Sequence, residues 1–413
     1  LQIYCLEPDA EKVSAARKAV NAAGLYGSRV TVHQADFQPV PYSNYFANLI
    51  VSDSQITRGK IPGEPTEVAR HLKPIGGVLY LAGKEDDSKE VVQARQDWLA
   101  GMELGDQSHT ATHGAAVTLT RDKLPGAANW SHQYGDPGNT ASSADRRLKG
   151  GLGVLWYGDP GPGKMVNRHD GAVGPLSIDG RLIVQGENSV MAYDAYNGLF
   201  LWERAEPNAI RTGVFQNQNP GNLVAGGDDL FVMVRGECHN LDLASGEIKK
   251  TYAIPDDVGG KDYEWGYLAY QDGLLIGTAT IREEVERRKQ RRGKVTSDST
   301  TGLFAIDTKS GKTAWTYQGK HIAHHTIALG PERVFFIDST ITSEQRDQLL
   351  REDKTELKKL TGEEAQAAEE RMKNIDARLA VALDLKTGEK IWETPVDVTD
   401  CSESGTGGGK LTF

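Results

Sequence analysis

AIDTKSGKTAW, residues 305–315, reads as a strand, a tight turn and a second strand, and it has three counterparts in the same chain. AYDAYNGLFLW (192–202), NLDLASGEIKK (240–250) and ALDLKTGEKIW (382–392) align with it without a gap. In each, an Asp (Asp194, Asp242, Asp307, Asp384) stands four residues before a Gly (Gly198, Gly246, Gly311, Gly388). The same Asp stands eight residues before Trp202, Lys250, Trp315 or Trp392. Gly supplies the positive φ that such a turn asks of one residue. A unit repeated this way stacks on its neighbours, and a Trp docked between units favours radial stacking over a straight solenoid.

Upstream of each turn lies another strand pair, as in PLSIDGRLIVQG (175–186) and NLVAGGDDLFVMV (222–234), so one repeat holds about four short antiparallel strands. That is a propeller blade. The AxDxxxGxxxW pattern resembles the pyrroloquinoline-quinone (PQQ) repeat of quinoprotein-like β-propellers. The resemblance implies an incomplete all-β propeller over residues 151–413, with about four blades and the start of a fifth in CSESGTGGGKLTF (401–413). It also implies that LGVLWYG (152–158) is an outer strand completing the last blade. Residues 128–150, rich in Gly, Ser, Asn and Asp, read as a linker. Insertions interrupt the later blades at 282–298, a solvated charge run, and at 342–376, a helical hairpin. Thr342 and Thr361 each precede a Gln or Glu by three, the spacing of a capping box.

Residues leading into the innermost strands converge on a propeller's channel. They are Arg168, His169, Asn217, Asn219, Glu264, Trp265, His324 and His325. Such a rim could hold a polar or quinone ligand, although most propeller rims are polar without chemistry. HIAHH (321–325) is read as the start of a strand rather than a metal site, because no third ligand is visible. The quinoprotein dehydrogenases pair adjacent cysteines with a calcium set. Cys5, Cys238 and Cys401 lie far apart, without such a pair. PQQ is therefore the less favoured cofactor.

The region before residue 128 has another rhythm. LQIYCLEPD (1–9) reads as a strand, AEKVSAARKAVNAAGL as a helix, RVTVHQADF and NYFANLIVSDS as strands, EVARHLKP as a helix and GGVLYLAG as a strand. DDSKEVVQARQDWLAGMEL reads as a further helix and HGAAVTLTRDKLPGAANW as a closing hairpin. This order predicts a doubly wound α/β (Rossmann-like) sheet. LEPD, GLYGSRVTVHQADF, FANLIVSD and EVARHLKPIGGVLYL resemble, in order and spacing, the class I S-adenosylmethionine-dependent methyltransferases. The resemblance implies that Glu7 holds the cofactor ribose, that Asp36 and Phe37 meet the adenine, and that Asp53 follows the strand facing the methyl donor. Each acid also reads as a strand-end turn residue, and EPDAEK as a helix start. In that family a first strand and a glycine-rich loop would precede Leu1, leaving domain 1–127 incomplete. The chain as it stands is then not expected to methylate anything.

The 413 residues exceed what one core usually organises, and 46 Gly favour turns over long helices. A net charge of -10 argues against nucleic acid as a partner, and no apolar run is long enough to cross a membrane. Three functions follow. The first is a methyltransferase-like domain paired with a propeller that binds substrate or partner. The second is a non-catalytic scaffold, and the third a quinoprotein oxidoreductase. The propeller points to the periplasm or cell envelope, an active methyltransferase to the cytoplasm.

Overall fold

The computed structural model describes residues 1–159, 161, 163–165, 174–207, 209, 222–281, 299–338, 341–373 and 376–398. They form two compact units. The first comprises Leu1–Ala127, Asp145–Asp159 and Asp194–Leu199; the second comprises Ala128–Ala144, Pro160–Tyr193 and Phe200–Phe413.

In the first unit β1 (Ile3–Glu7), α1 (Ala10–Ala22) and β2 (Val30–Gln34) make a crossover, because parallel strands cannot be joined by a tight turn. β1 and β2 pair in register from Ile3↔Val30 to Glu7↔Gln34. Asp9 caps α1 by accepting from the backbone N–H groups of Glu11 and Lys12. Then come β3 (Leu49–Val51), α2 (Asp53–Arg58), α3 (Pro65–His71), β4 (Gly77–Leu81), α4 (Lys89–Ala100), β5 (Ser108–His113) and β6 (Ala116–Arg121). They build a sheet of order β3-β4-β6-β5, with β3 and β4 parallel and the other pairs antiparallel. Leu72, Leu79, Leu81, Leu99, Val117 and Leu119 form its core. One continuous sheet was the expectation; two are found. β1 and β3 do not pair with each other, and Ile3, Tyr4, Leu49 and Val51 are exposed beside them.

The second unit carries four antiparallel sheets in succession. The first is β7 (Leu176–Ile178), β8 (Arg181–Gln185), β9 (Ser189–Asp194) and β10 (Phe200–Ala205). The second is β11 (Leu223–Gly226), β12 (Asp229–Val234), β13 (Glu237–Asp242) and β14 (Ile248–Ala253). The third is β15 (Tyr263–Gln271), β16 (Leu274–Ile281), β17 (Ser299–Asp307) and β18 (Thr313–Ala323). The fourth is β19 (Ala328–Leu329), β20 (Arg333–Asp338), β21 (Ala377–Asp384) and β22 (Lys390–Asp397). One bridge, Ile322↔Asp338, links the third to the fourth.

Successive sheets pack face to face, so the second and third are covered on both sides. Ile183, Val190 and Ala192 meet Leu223, Leu230 and Val232; Phe231 and Met233 meet Trp265 and Phe304; Ile276 and Leu303 meet Val334 and Val381. Each Val, Leu, Ile, Phe or Met among them stabilises the stack by roughly 1.5–3 kcal/mol on burial. The first strands also lie side by side, β11 next to both β7 and β15. Sheets stacked face to face about a shared line of first strands are blades, and the second unit is an all-β, propeller-type fold.

The repeat explains the joints between blades. Each Asp carboxylate takes backbone N–H bonds from its own turn, as Asp384 does from Lys386 and Thr387, and φ is 71–75° at the four Gly. The residue eight after the Asp then lies flat on the Gly of the next repeat. Trp202 covers Gly246 and donates through Nε1 to Leu243 O at 3.1 Å. Trp315 covers Gly388 and donates to Leu385 O at 2.9 Å. Lys250 covers Gly311 with its ammonium 3.4 Å from Thr308 O. A Cβ on Gly246 or Gly388 would overlap the indole at 2.5 or 2.6 Å, so only Gly fits.

Two sequence expectations change. Residues 152–158 form no strand: Leu152, Val154 and Tyr157 are exposed, and no ladder partner lies beside them among the described residues. Trp156 instead covers Gly198 and donates to Ala195 O at 2.9 Å, within the first unit. There Lys73 Nζ also sits 2.9 Å from Asp194 Oδ2, both side chains nearly buried.

The expected linker 128–150 divides between the units, and its residues 128–144 run along the first strands of all four blades. Trp130 and Ser177 exchange backbone bonds, and Ala225 N donates to Ser131 O. Tyr270 N donates to His132 Nε2 at 3.1 Å, and Leu329 N donates to Pro137 O. Burial pushes the His132 pKa down to about 4, so the ring is neutral and Nε2 is free to accept.

The insertion at 342–376 holds two helices, Ser343–Leu357 and Glu363–Lys373. Thr342 and Gln345 form the expected reciprocal capping box. The charge run 282–298 and the tail 401–413 lie outside the described residues.

Candidate functional site

Strand pairing at the leading end of the third blade sets Glu264 opposite Thr280 and Trp265 opposite Ala279. Partners across a ladder share a face, so Glu264 and Thr280 point one way and Trp265 the other. On the first face Thr278 Oγ1 lies 3.0 Å from His324 Nε2. Gly266 sits among them: a Cβ there would be 2.5 Å from both His324 Cε1 and Thr280 Oγ1. Glu264, Thr278, Thr280 and His324 are 4%, 0%, 5% and 1% exposed, so a carboxylate, two hydroxyls and an imidazole share a buried nest. Thr280 Oγ1 has no hydrogen-bond partner among the described residues. A buried hydroxyl left so costs about 1–3 kcal/mol, which an incoming polar atom would recover.

Of the expected channel residues, Glu264 and His324 meet here. Trp265 does not: alternation along β15 turns it into the apolar cluster, edge-on to Phe304 at 4.9 Å. His325 follows His324 in a short 3₁₀ turn and is half-buried. Arg168, His169, Asn217 and Asn219 lie outside the described residues. The sequence reading missed Gly266, Thr278 and Thr280. Their signal is the alternation E-x-G in one strand against T-x-T in the next, legible only once the register is known. In HIAHH, the backbone N–H of His321 donates to Asp338 Oδ1 at 2.9 Å. No group of three or more His, Cys, Asp or Glu among the described residues is arranged to hold a metal ion.

A second polar cluster joins the first and second blades. His239 Nδ1 lies 3.1 Å from Glu206 Oε1, and Arg204 Nε donates to the same oxygen at 3.0 Å. The Glu206 carboxylate holds the His239 pKa above its ordinary value. Burial works to raise that of Glu206, but the bonds from His239 and Arg204 outweigh it and leave it lowered.

In the first unit Glu7 ends β1, Asp36 and Phe37 lie just past β2, and Asp53 follows β3. Glu7 Oε1 accepts from Asp9 N at 3.0 Å and lies 3.8 Å from Lys12 Nζ, so it serves the start of α1. Asp53 stands in the first turn of α2, capped by Ser52. Asp36 and Asp53 are exposed and Phe37 is half-buried. Cys5 and Cys238 are free thiols, and burial raises the pKa of both.

No protein-family model matches the chain, and no curated protein is similar to it in sequence. Solved structures are similar at low identity. BamB from Moraxella catarrhalis is 16% identical over 52% of this chain and 49% of its own, with a TM-score of 0.29. The quinohemoprotein alcohol dehydrogenase of Comamonas testosteroni is 14% identical over 65% and 42%, with a TM-score of 0.38. Quinohemoprotein alcohol dehydrogenase ADHIIG of Pseudomonas putida HK5 is 14% identical over 64% and 40%, with a TM-score of 0.41. The chain spans less than half the length of each of these three. No helix among the described residues is long and apolar enough to cross a membrane.

PQQ carries three carboxylates and works with a bound cation, so its site needs cationic side chains and a metal-ligand set. The nest offers a carboxylate, hydroxyls and an imidazole. These residues do not fit PQQ.

Proposed function

We propose that this chain is a binding protein, in which a propeller-type unit holds a small polar ligand or a partner's polar side chain at the leading end of its third and fourth blades. The observation that carries this reading is the unpaired Thr280 hydroxyl, buried beside the Glu264 carboxylate and the His324 imidazole. A carboxylate and hydroxyls in a low-dielectric nest favour a ligand bearing amine or hydroxyl donors. A thermal-shift series with small amines and polyols tests it. At least one is expected to raise the melting temperature of the wild type and not of Thr280→Val or Glu264→Gln. A series in which nothing shifts the wild type removes the reading.

S-adenosylmethionine-dependent methyl transfer by the first unit is the second reading. It is supported by the position of Glu7 at, and of Asp36 and Asp53 just beyond, the carboxyl ends of their strands, where open α/β sheets bind ligands. Glu7 would accept the ribose hydroxyls, Asp36 and Phe37 would meet the adenine, and the bound cofactor would supply an activated methyl group. Calorimetry with S-adenosylhomocysteine, and separately with PQQ plus calcium, divides the readings. Heat with the first that Glu7→Gln removes would establish methyl-donor binding, and heat with the second would restore the oxidoreductase. Silence with both leaves the binding role. The binding role goes with the periplasm or cell envelope, methyl transfer with the cytoplasm.

A further inference from the structure

The polar nest at the leading end of the third blade is built around one glycine. Pairing between β15 and β16 shifts register between Trp265 and Leu268, so Gly266 sits at a bulge, where backbone is pressed against side chains. A Cβ on Gly266 would lie 2.5 Å from Thr280 Oγ1, 2.6 Å from Thr278 Oγ1 and 2.5 Å from His324 Cε1. Two hydroxyl oxygens that near a single point lie within about 5 Å of each other, and one hydrogen-bonded atom spans such a pair, each bond being about 2.8 Å. The nest is therefore sized for a head of one heavy atom, with the Gly266 backbone closing one side.

Its chemistry is that of an acceptor. Thr280 Oγ1 has no hydrogen-bond partner among the described residues, and Thr280 is 5% exposed. Thr278 Oγ1 shares one bond with His324 Nε2, and in either tautomer a lone pair is left, because a hydroxyl carries one donor and two acceptor sites. Glu264, opposite Thr280 in the ladder, is acceptor-only when ionised, and its two oxygens offer about four sites, so it serves a head alongside its other bonds. Three acceptors match the three N–H bonds of a primary ammonium. A hydroxyl head brings one donor to them, and a trimethylammonium head brings none.

We infer that the nest selects a primary ammonium carried on a methylene, held by Thr280, Thr278 and Glu264, with Gly266 setting the size limit. The inference rests on the reading of the nest as a ligand site. The same head comes from a free amine or from a lysine side chain, so the test carries both.

Thermal shift of the whole chain near neutral pH, where a primary amine is charged, compares butylamine, N-acetyl-lysine methylamide, butanol and butyltrimethylammonium at matched ionic strength. Butylamine is expected to raise the melting temperature saturably, with butanol and butyltrimethylammonium roughly tenfold weaker or more. Thr280→Val, which keeps the shape of the side chain, is expected to weaken butylamine roughly tenfold or more; Thr280→Ser, which restores the hydroxyl, is expected to stay within about threefold of wild type. Butylamine acting alone assigns the site to small free amines, and the lysine derivative acting as well or alone assigns it to a lysine side chain; either supports the inference. Equal butylamine effects in the wild type and Thr280→Val overturn it. So does a response, lost in Thr280→Val, to butanol, polyols or butyltrimethylammonium without one to either amine; the nest then remains a ligand site. No response to any of these probes removes both.

Discussion

Trp315 and Lys250 hold the same place in neighbouring repeats and close their joints by different physics. Trp315 lays an indole on Gly388 and is nearly buried; its contribution is mostly contact area plus one hydrogen bond. Lys250 lays a flexible stem on Gly311, with its ammonium 3.4 and 3.5 Å from two turn carbonyls. Tyr252 reinforces that joint by donating to Thr308 O at 3.0 Å, a bond the indole joints do not need. The shared requirement is therefore a long side chain with a terminal N–H, and the apolar area is the variable part. A third solution operates between the first and second blades, where the Glu206–His239 pair adds charge to the Trp202 joint.

The largest effect is expected from Gly388→Val, which places a branched side chain at φ 71° and against the Trp315 ring. Urea unfolding should show a loss of about 4 kcal/mol or more; a loss near zero would break the idea that the socket is defined by its glycine. Trp315→Ala comes next, at about 3–5 kcal/mol by the same measurement, because the indole's place stays empty between packed sheets. Lys250→Trp sharpens the comparison from the other side. If contact area is the variable part, the melting temperature rises, by an amount corresponding to roughly 1 kcal/mol; a fall would show that this joint depends on its cation.

The smallest effect is expected at His239. Its folded pKa lies above the unfolded value of about 6.5, so its contribution is complete below that pH and fades as pH rises through the folded pKa. Glu206 is lowered, so its share is present above about pH 4.5 and fades as pH falls through its folded pKa. A melting-temperature profile across pH 5–9 should decline on its alkaline side by roughly 2–4 °C, and His239→Gln should flatten that limb. Equal slopes in the two proteins would remove the charge from the account of this joint.

Much of the blade was legible because its signals are local. The Asp takes N–H groups from its own turn, the Gly meets a φ demand, and strand alternation follows from a period of two. The Thr342 capping box was readable for the same reason. The nest was half legible: Glu264 and His324 could be named from their place ahead of strands, but Thr278, Thr280 and Gly266 enter only through register. Glu264 and Trp265 are neighbours in one strand and so point to opposite faces, and only the register with β16 shows that Glu264 is the one facing the nest. Residues 128–144 read as a linker because their Gly, Ser and Asn content is that of a loop. Their bonds go to residues as far as 188 positions away, as from Asn139 to Ile327 O, and composition carries no trace of such partners.

By itself the sequence determined the repeated strand-turn-strand unit and the place of its glycines, both closed within a few residues. Only the tertiary structure decided which side chain covers which turn, that residues 128–144 line the first strands of the blades, and which polar side chains meet in the nest. Those outcomes depend on surfaces brought together from distant parts of the chain, where packing and the satisfaction of buried polar groups, rather than local backbone preference, select the arrangement.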